Sequence, residues 1–65
     1  MTWDQIENRW IGIKGPIQEQ WARLSDADLD RIGGKKERLL GKIQELYGVA
    51  REDAERQVDR FLHGY

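Results

Sequence analysis

Seven large apolar residues, Trp3, Ile6, Trp10, Ile13, Ile17, Trp21 and Leu24, follow one another at intervals of 3, 4, 3, 4, 4 and 3. Those intervals hold them on one face of an α-helix. A face that apolar must be buried against another element, which commits the chain to helices packed on helices. The only proline, Pro16, stands inside the stripe. A proline there removes the bond to the Gly12 carbonyl and costs about 3 kcal/mol in a regular helix interior. The stripe nevertheless keeps its phase, and Gly15 lacks the Cβ that makes a residue before proline avoid helical angles. One helix kinked near Pro16 is therefore expected; the alternative is a fresh start with Pro16 in the first turn of a new helix.

The later segments carry clear starts and stops. In "LSDADLDRIGG", Ser25 can cap a helix, Asp26 and Asp28 put negative charge in its first turn, Leu24 can staple onto Leu29, and Gly33 and Gly34 end it. A third helix is expected from about Lys35 to Tyr47, with Leu39, Leu40, Ile43, Leu46 and Tyr47 on its apolar side and Gly48 as the stop. A fourth, from about Arg51 to Leu62, faces inward with Ala54, Val58, Phe61 and Leu62, and pairs Glu52 with Arg56 on its outer face.

"KGPIQEQW", Lys14 to Trp21, recurs 26 residues later as "LGKIQELY", Leu40 to Tyr47. At the same offset Ile32 matches Val58, while Leu24, Asp28 and Arg31 match Val49, Asp53 and Arg56 at an offset of 25. Each half, about 3–32 and 35–62, reads as an αα-hairpin, and two hairpins packed together make the smallest core that buries both stripes. The expected fold is all-α: four short helices in two packed hairpins, one domain over residues 1–65.

A chain of 65 residues buries only about 60 % of the surface it exposes when unfolded, and its stability is expected on the order of 3 to 10 kcal/mol. The absence of cysteine excludes disulfides and thiolate metal sites and suits a reducing cytoplasm. No apolar run approaches a membrane span, and "MTWDQIENRW" has neither the basic start nor the apolar core of a signal peptide. Eleven basic residues nearly balance twelve acidic ones, so no global field draws the chain to nucleic acid or an anionic membrane.

Trp10, Lys14-Gly15, Glu19, "LSD" at Leu24 to Asp26 and "GKKERLLGKIQELYG" from Gly34 to Gly48 closely resemble the CsbD-like family of small bacterial general-stress proteins. The resemblance covers nearly the whole chain, departing where Pro16 replaces a usual lysine, Ala22 a frequent glycine and Gly33 a common acidic residue. It implies two orthogonally packed hairpins like those of the SAM-domain class, in a protein induced under stress. It implies no biochemical activity.

Two surfaces are candidates for function. At 100° per residue, Gly15 and Gly41 each fall about 160° from the isoleucine two positions on, opposite the apolar stripe. The back face of helix 1 reads Asn8, Gly12, Gly15, Glu19, Ala22, and that of helix 3 reads Gly34, Glu37, Gly41, Gln44, Gly48. Each interior glycine gives up about 1 kcal/mol of helix propensity relative to alanine. Either another element of the chain approaches closely there, or the helices are simply marginal, or a partner helix or extended ligand docks on a flat surface. The second candidate is "GGKKERLLGK", where free N–H groups at a helix start lie near Lys35, Lys36, Arg38 and Lys42 and can receive a phosphate. Against it, no G-x-x-x-x-G-K-[ST] loop is present, and Asp26, Asp28 and Asp30 lie just upstream to neutralise the lysines.

No catalytic set is apparent. His63 is the only histidine, near a helix C-terminus in the end "HGY", with no second ligand-type residue at helical spacing. Ser25 is accounted for as a cap, Glu52 and Asp53 project about 100° apart, and the tryptophans share the face that must be buried. The expectation is a monomeric, cytoplasmic, non-enzymatic stress protein without cofactor or metal, an interaction or protective module with an unknown protein partner. The alternative is a weak nucleic-acid or phosphate binder using the start of helix 3.

Overall fold

The computed structural model describes residues 2–64, so Tyr65 of the "HGY" end and Met1 lie outside the described residues. Five helices follow in order: α1 (Trp3–Asn8), α2 (Trp10–Gln20), α3 (Asp26–Ile32), α4 (Lys36–Tyr47) and α5 (Arg51–His63). Among the described residues there is no strand.

The expected kink near Pro16 is not where the first helix is interrupted. The chain parts at Arg9 (φ −110°, ψ 24°), whose N–H is shared between the Gln5 and Ile6 carbonyls, while α2 continues through Pro16. Two distant tethers account for the break. The Trp3 indole N–H donates to the Gly34 carbonyl (2.8 Å) and the Trp10 indole N–H to the Leu29 carbonyl (3.0 Å). A joint at Arg9 lets each tryptophan be set against its own carbonyl while the two rings stay 6.4 Å apart. At Pro16 only the donor to the Gly12 carbonyl is lost, and Gly12 is exposed, so water can satisfy that carbonyl.

α1 opens on a reciprocal cap between Thr2 and Gln5, and α3 on one between Ser25 and Asp28. The second is charge-assisted: the Asp28 carboxylate accepts the Ser25 N–H, which is the main reason its pKa lies below the usual carboxylate value, with the Ser25 hydroxyl and Lys42 adding to it. Leu24 and Leu29, on either side of the cap, are both buried. Gly33 (φ 54°) ends α3 and Gly48 (φ 64°) ends α4 in the left-handed conformation. Gly34 (φ 85°) has a further constraint, since a Cβ there would lie 3.1 Å from the Glu7 Cα. Only glycine lets α1 come this close to the α3–α4 turn.

The core comprises the stripe residues Ile6 through Leu24 with Leu29, Ile32, Leu39, Leu40, Ile43, Ala54 and Val58, and Trp3, Leu46, Tyr47, Phe61 and Leu62 pack at its margin. α4 is central, lying against both α3 and α5. Arg51 fastens α5 to α4: its Nη2 donates to both oxygens of Glu37 (2.7 and 2.9 Å) and its Nε to Glu55 (2.9 Å). On α5, Arg56 pairs with Asp53 at 3.4 Å rather than with the expected Glu52.

Candidate functional site

The interior of this protein offers no chemistry. Among the described residues no polar or charged residue is buried, and no group of His, Asp or Glu side chains is arranged to hold a metal ion. Each tryptophan N–H has a partner, Trp21 donating to the Gln57 side-chain oxygen at 2.9 Å. His63 is exposed in the last turn of α5. Function has to be sought on the surface, where the candidate residues fall into two separate places.

The first is the outer face of α2, where Gly12, Gly15 and Glu19 are all exposed; Asn8, expected on the same face, is exposed too but ends α1 on the far side of the joint at Arg9. An ideal Cβ built at Gly12 or Gly15 meets nothing within 4 Å. The same holds at Gly41, so the reading in which another part of the chain closes on these glycines is overturned. Beside Gly12 stands Ile11, 89 % exposed, a large apolar side chain left in water. Sequence reasoning passed it over because it lies off the stripe. Its angular distance from the stripe, about 115° from the mean of Trp10, Ile13, Ile17 and Trp21, is the signal that identifies it. The break at Arg9 leaves a shallow depression of 480 Å³ lined by Glu7 to Gly12.

The second place is a groove of 640 Å³ between α3 and α4, to which Gly41, Arg38 and Lys42 contribute together with Ile32, Arg31 and Glu45. Lys35 and Lys36 are not among its lining residues, so the basic start of α4 does not converge on one spot. Most of its charges are also engaged within the chain. Lys35 reaches Glu7 at 2.7 Å, Arg38 donates to the Arg31 carbonyl at 2.9 Å, and Lys42 lies between Asp28 (3.5 Å) and Glu45 (3.3 Å). Asp30 holds Lys14, and this hydrogen bond raises the Lys14 pKa above its ordinary value. The upstream aspartates thus neutralise Lys42 and Lys14, while Lys35 is taken by a residue 28 positions away.

A small all-helical protein with an apolar interior and its polar groups confined to the surface is the class that this fold and surface define. The chain belongs to the CsbD-like family, whose model matches residues 4–56. It is 49 % identical over 63 residues to a UPF0337 protein of Nitrosomonas europaea, covering 97 % of this chain and 67 % of that one. A UPF0337 protein of Protochlamydia amoebophila is 49 % identical over 57 residues, 88 % of this chain and 86 % of its own. The UPF0337 protein YjbJ of Escherichia coli K12 is 43 % identical over 58 residues, 89 % and 84 %. No solved structure matches the chain. Among the described residues no helix is long and apolar enough to cross a membrane.

Proposed function

We propose that this chain is a non-enzymatic interaction module of the bacterial stress response, acting in the cytoplasm through the exposed outer face of α2. The observation that carries the reading is open space around glycines in helix interiors. Gly12 and Gly41 each cost about 1 kcal/mol relative to alanine, yet apart from their chain neighbours and their own helix backbone nothing lies within 4 Å of the position of an added Cβ; Gly15, equally open, also lets the helix run into Pro16. In a fold whose total stability is on the order of 3 to 10 kcal/mol, that is a large unreturned cost. A surface kept flat for something outside the chain accounts for it, and Ile11 supplies the apolar area such a contact needs. The two-hairpin arrangement belongs to the same proposal, with α4 and α5 as the hairpin that the Gly48 turn and the Arg51 bridges support. Phosphate or nucleic-acid binding at the start of α4 has less support, because Lys35, Arg38 and Lys42 already hold partners.

The test is recovery of partners by a tagged bait from stressed and unstressed bacteria, using the native chain and Gly12→Leu, which lies clear of Pro16. Protein recovered by the native chain and lost from Gly12→Leu supports the reading. Identical recovery by both, or none by either, counts against it.

A further inference from the structure

Gly41 lies on α4, so a contact on the outer face of α2 does not account for the room it leaves. That room belongs to the 640 Å³ groove between α3 and α4. Arg38, Gly41, Lys42 and Glu45 follow one another at intervals of 3, 1 and 3, which puts them on one face of α4, and Arg31 and Ile32 line the groove from α3. With no side chain at Gly41, the backbone of an occupant can come down onto the helix. The charges along the groove are unevenly spent. Lys42 lies between Asp28 and Glu45, and Asp30 holds Lys14. Among the described residues the Arg31 side chain has no hydrogen bond or ion pair. Arg38 donates to the Arg31 carbonyl at 2.9 Å, a neutral partner that steadies its guanidinium without cancelling the charge. Two guanidiniums without a carboxylate therefore stand on the two walls of one groove.

From this we infer that the groove between α3 and α4 binds an acidic peptide segment of a partner protein, whose carboxylates are received by Arg31 and Arg38 while its backbone passes over Gly41. A guanidinium fork matches a carboxylate through two parallel N–H···O bonds, which names the chemistry of the occupant. Nucleic acid fits the same groove worse. Duplex DNA carries a charge about every 1.7 Å along its axis, and its phosphates would also fall on the exposed acids Asp30 and Glu45 that share the lining. Carboxylates set apart along a peptide can meet the two arginines and leave those acids alone. The inference goes beyond the α2 reading and concerns a separate surface. Two exposed ion pairs make a weak site, with Kd on the order of 0.1 to 1 mM.

Fluorescence anisotropy decides the matter, with the full chain titrated to about 2 mM into a dye-labelled peptide alternating glutamate and serine, at about 20 mM salt where screening is weak. A lysine–serine peptide and a single-stranded oligonucleotide with the same dye are the comparison probes, and only the glutamate peptide should bind. Arg31→Gln and Arg38→Gln should each weaken binding about two- to fivefold, as loss of an exposed ion pair does. Gly41→Leu, which fills the groove, should weaken it at least as much. Arg60→Gln removes an arginine that is exposed and lies outside the groove, and should leave binding within about 1.5-fold of the native chain. All four positions are exposed, so circular dichroism should show every variant folded. No binding at the highest concentration, binding untouched by the three groove variants, an equal loss in Arg60→Gln, or tighter binding of the oligonucleotide would each overturn the inference. The α2 reading is judged separately, by Gly12→Leu in cells, and none of these variants alters α2.

Discussion

Replacing Pro16 with alanine tests whether α2 really continues through the proline. In the structure Pro16 is the seventh residue of an eleven-residue helix, well past the first turn where proline is tolerated. It lacks the N–H that would reach the Gly12 carbonyl, a defect worth about 3 kcal/mol in a helix interior. Alanine restores that bond but frees the unfolded chain, which returns about 0.4 to 1 kcal/mol to the unfolded state. The net expectation is a gain of about 2 kcal/mol. For a 65-residue chain, unfolding entropy near 2.1 cal/mol/K per residue turns this into a rise of about 15 °C in the thermal midpoint. Circular dichroism melts of the two proteins at pH 7 measure it. A midpoint that falls or stays put would refute the reasoning, because it would mean that the helix does not run through residue 16 or that the proline is answering a need the fold description misses.

Leu29→Ala removes a wholly buried side chain next to the carbonyl that receives the Trp10 indole; urea titration should show a loss of about 2 to 5 kcal/mol, enough to unfold much of the population. Asp28 and Glu37 both have pKa values lowered in the fold, Asp28 chiefly by the Ser25 N–H and Glu37 chiefly by Arg51. A carboxylate lowered in this way contributes stability above its unfolded pKa and loses it as pH falls through the folded one. The midpoint of the native chain should therefore fall as pH drops below the ordinary carboxylate values of 3.8 for Asp28 and 4.5 for Glu37, and the gap between it and Asp28→Asn at pH 7 should narrow as Asp28 is protonated. Titrating duplex and single-stranded DNA at low salt should give no salt-dependent binding at micromolar protein, because most of the basic residues at the start of α4 are occupied.

What could be read ahead of the structure was whatever the chain decides locally. Ser25, Gly33 and Gly48 set the ends of α3 and α4 within a residue or so, because a cap or a left-handed stop depends on three or four neighbouring residues. The apolar stripe named the core residues of α1 and α2, since burial follows from which face they share. The joint at Arg9 was not visible, because it answers to the carbonyls of Gly34 and Leu29, distant in sequence. Thr2 and Gln5 do carry the local signature of a capping box, which fixes the start of α1. Ion pairing was legible in composition and not in partner: Lys35 finds Glu7, and Arg56 finds Asp53. The wheel placed Gly12, Gly15 and Gly41 on exposed faces but put Gly34 with them, which lies before α4 and is buried against Glu7, because a close approach from α1 is not written in the spacing.

The central claim is that the open glycines serve a contact outside the chain, and the combined Gly12→Ala, Gly41→Ala variant tests it most directly. A chromosomal replacement, scored for survival under stress alongside the thermal midpoint of the purified protein, reads both sides of the argument at once. With nothing within 4 Å of the added carbons, the variant should be more stable by about 2 kcal/mol, and the bacteria that carry it should survive stress less well than those with the native chain. Equal survival from a more stable protein would contradict the account.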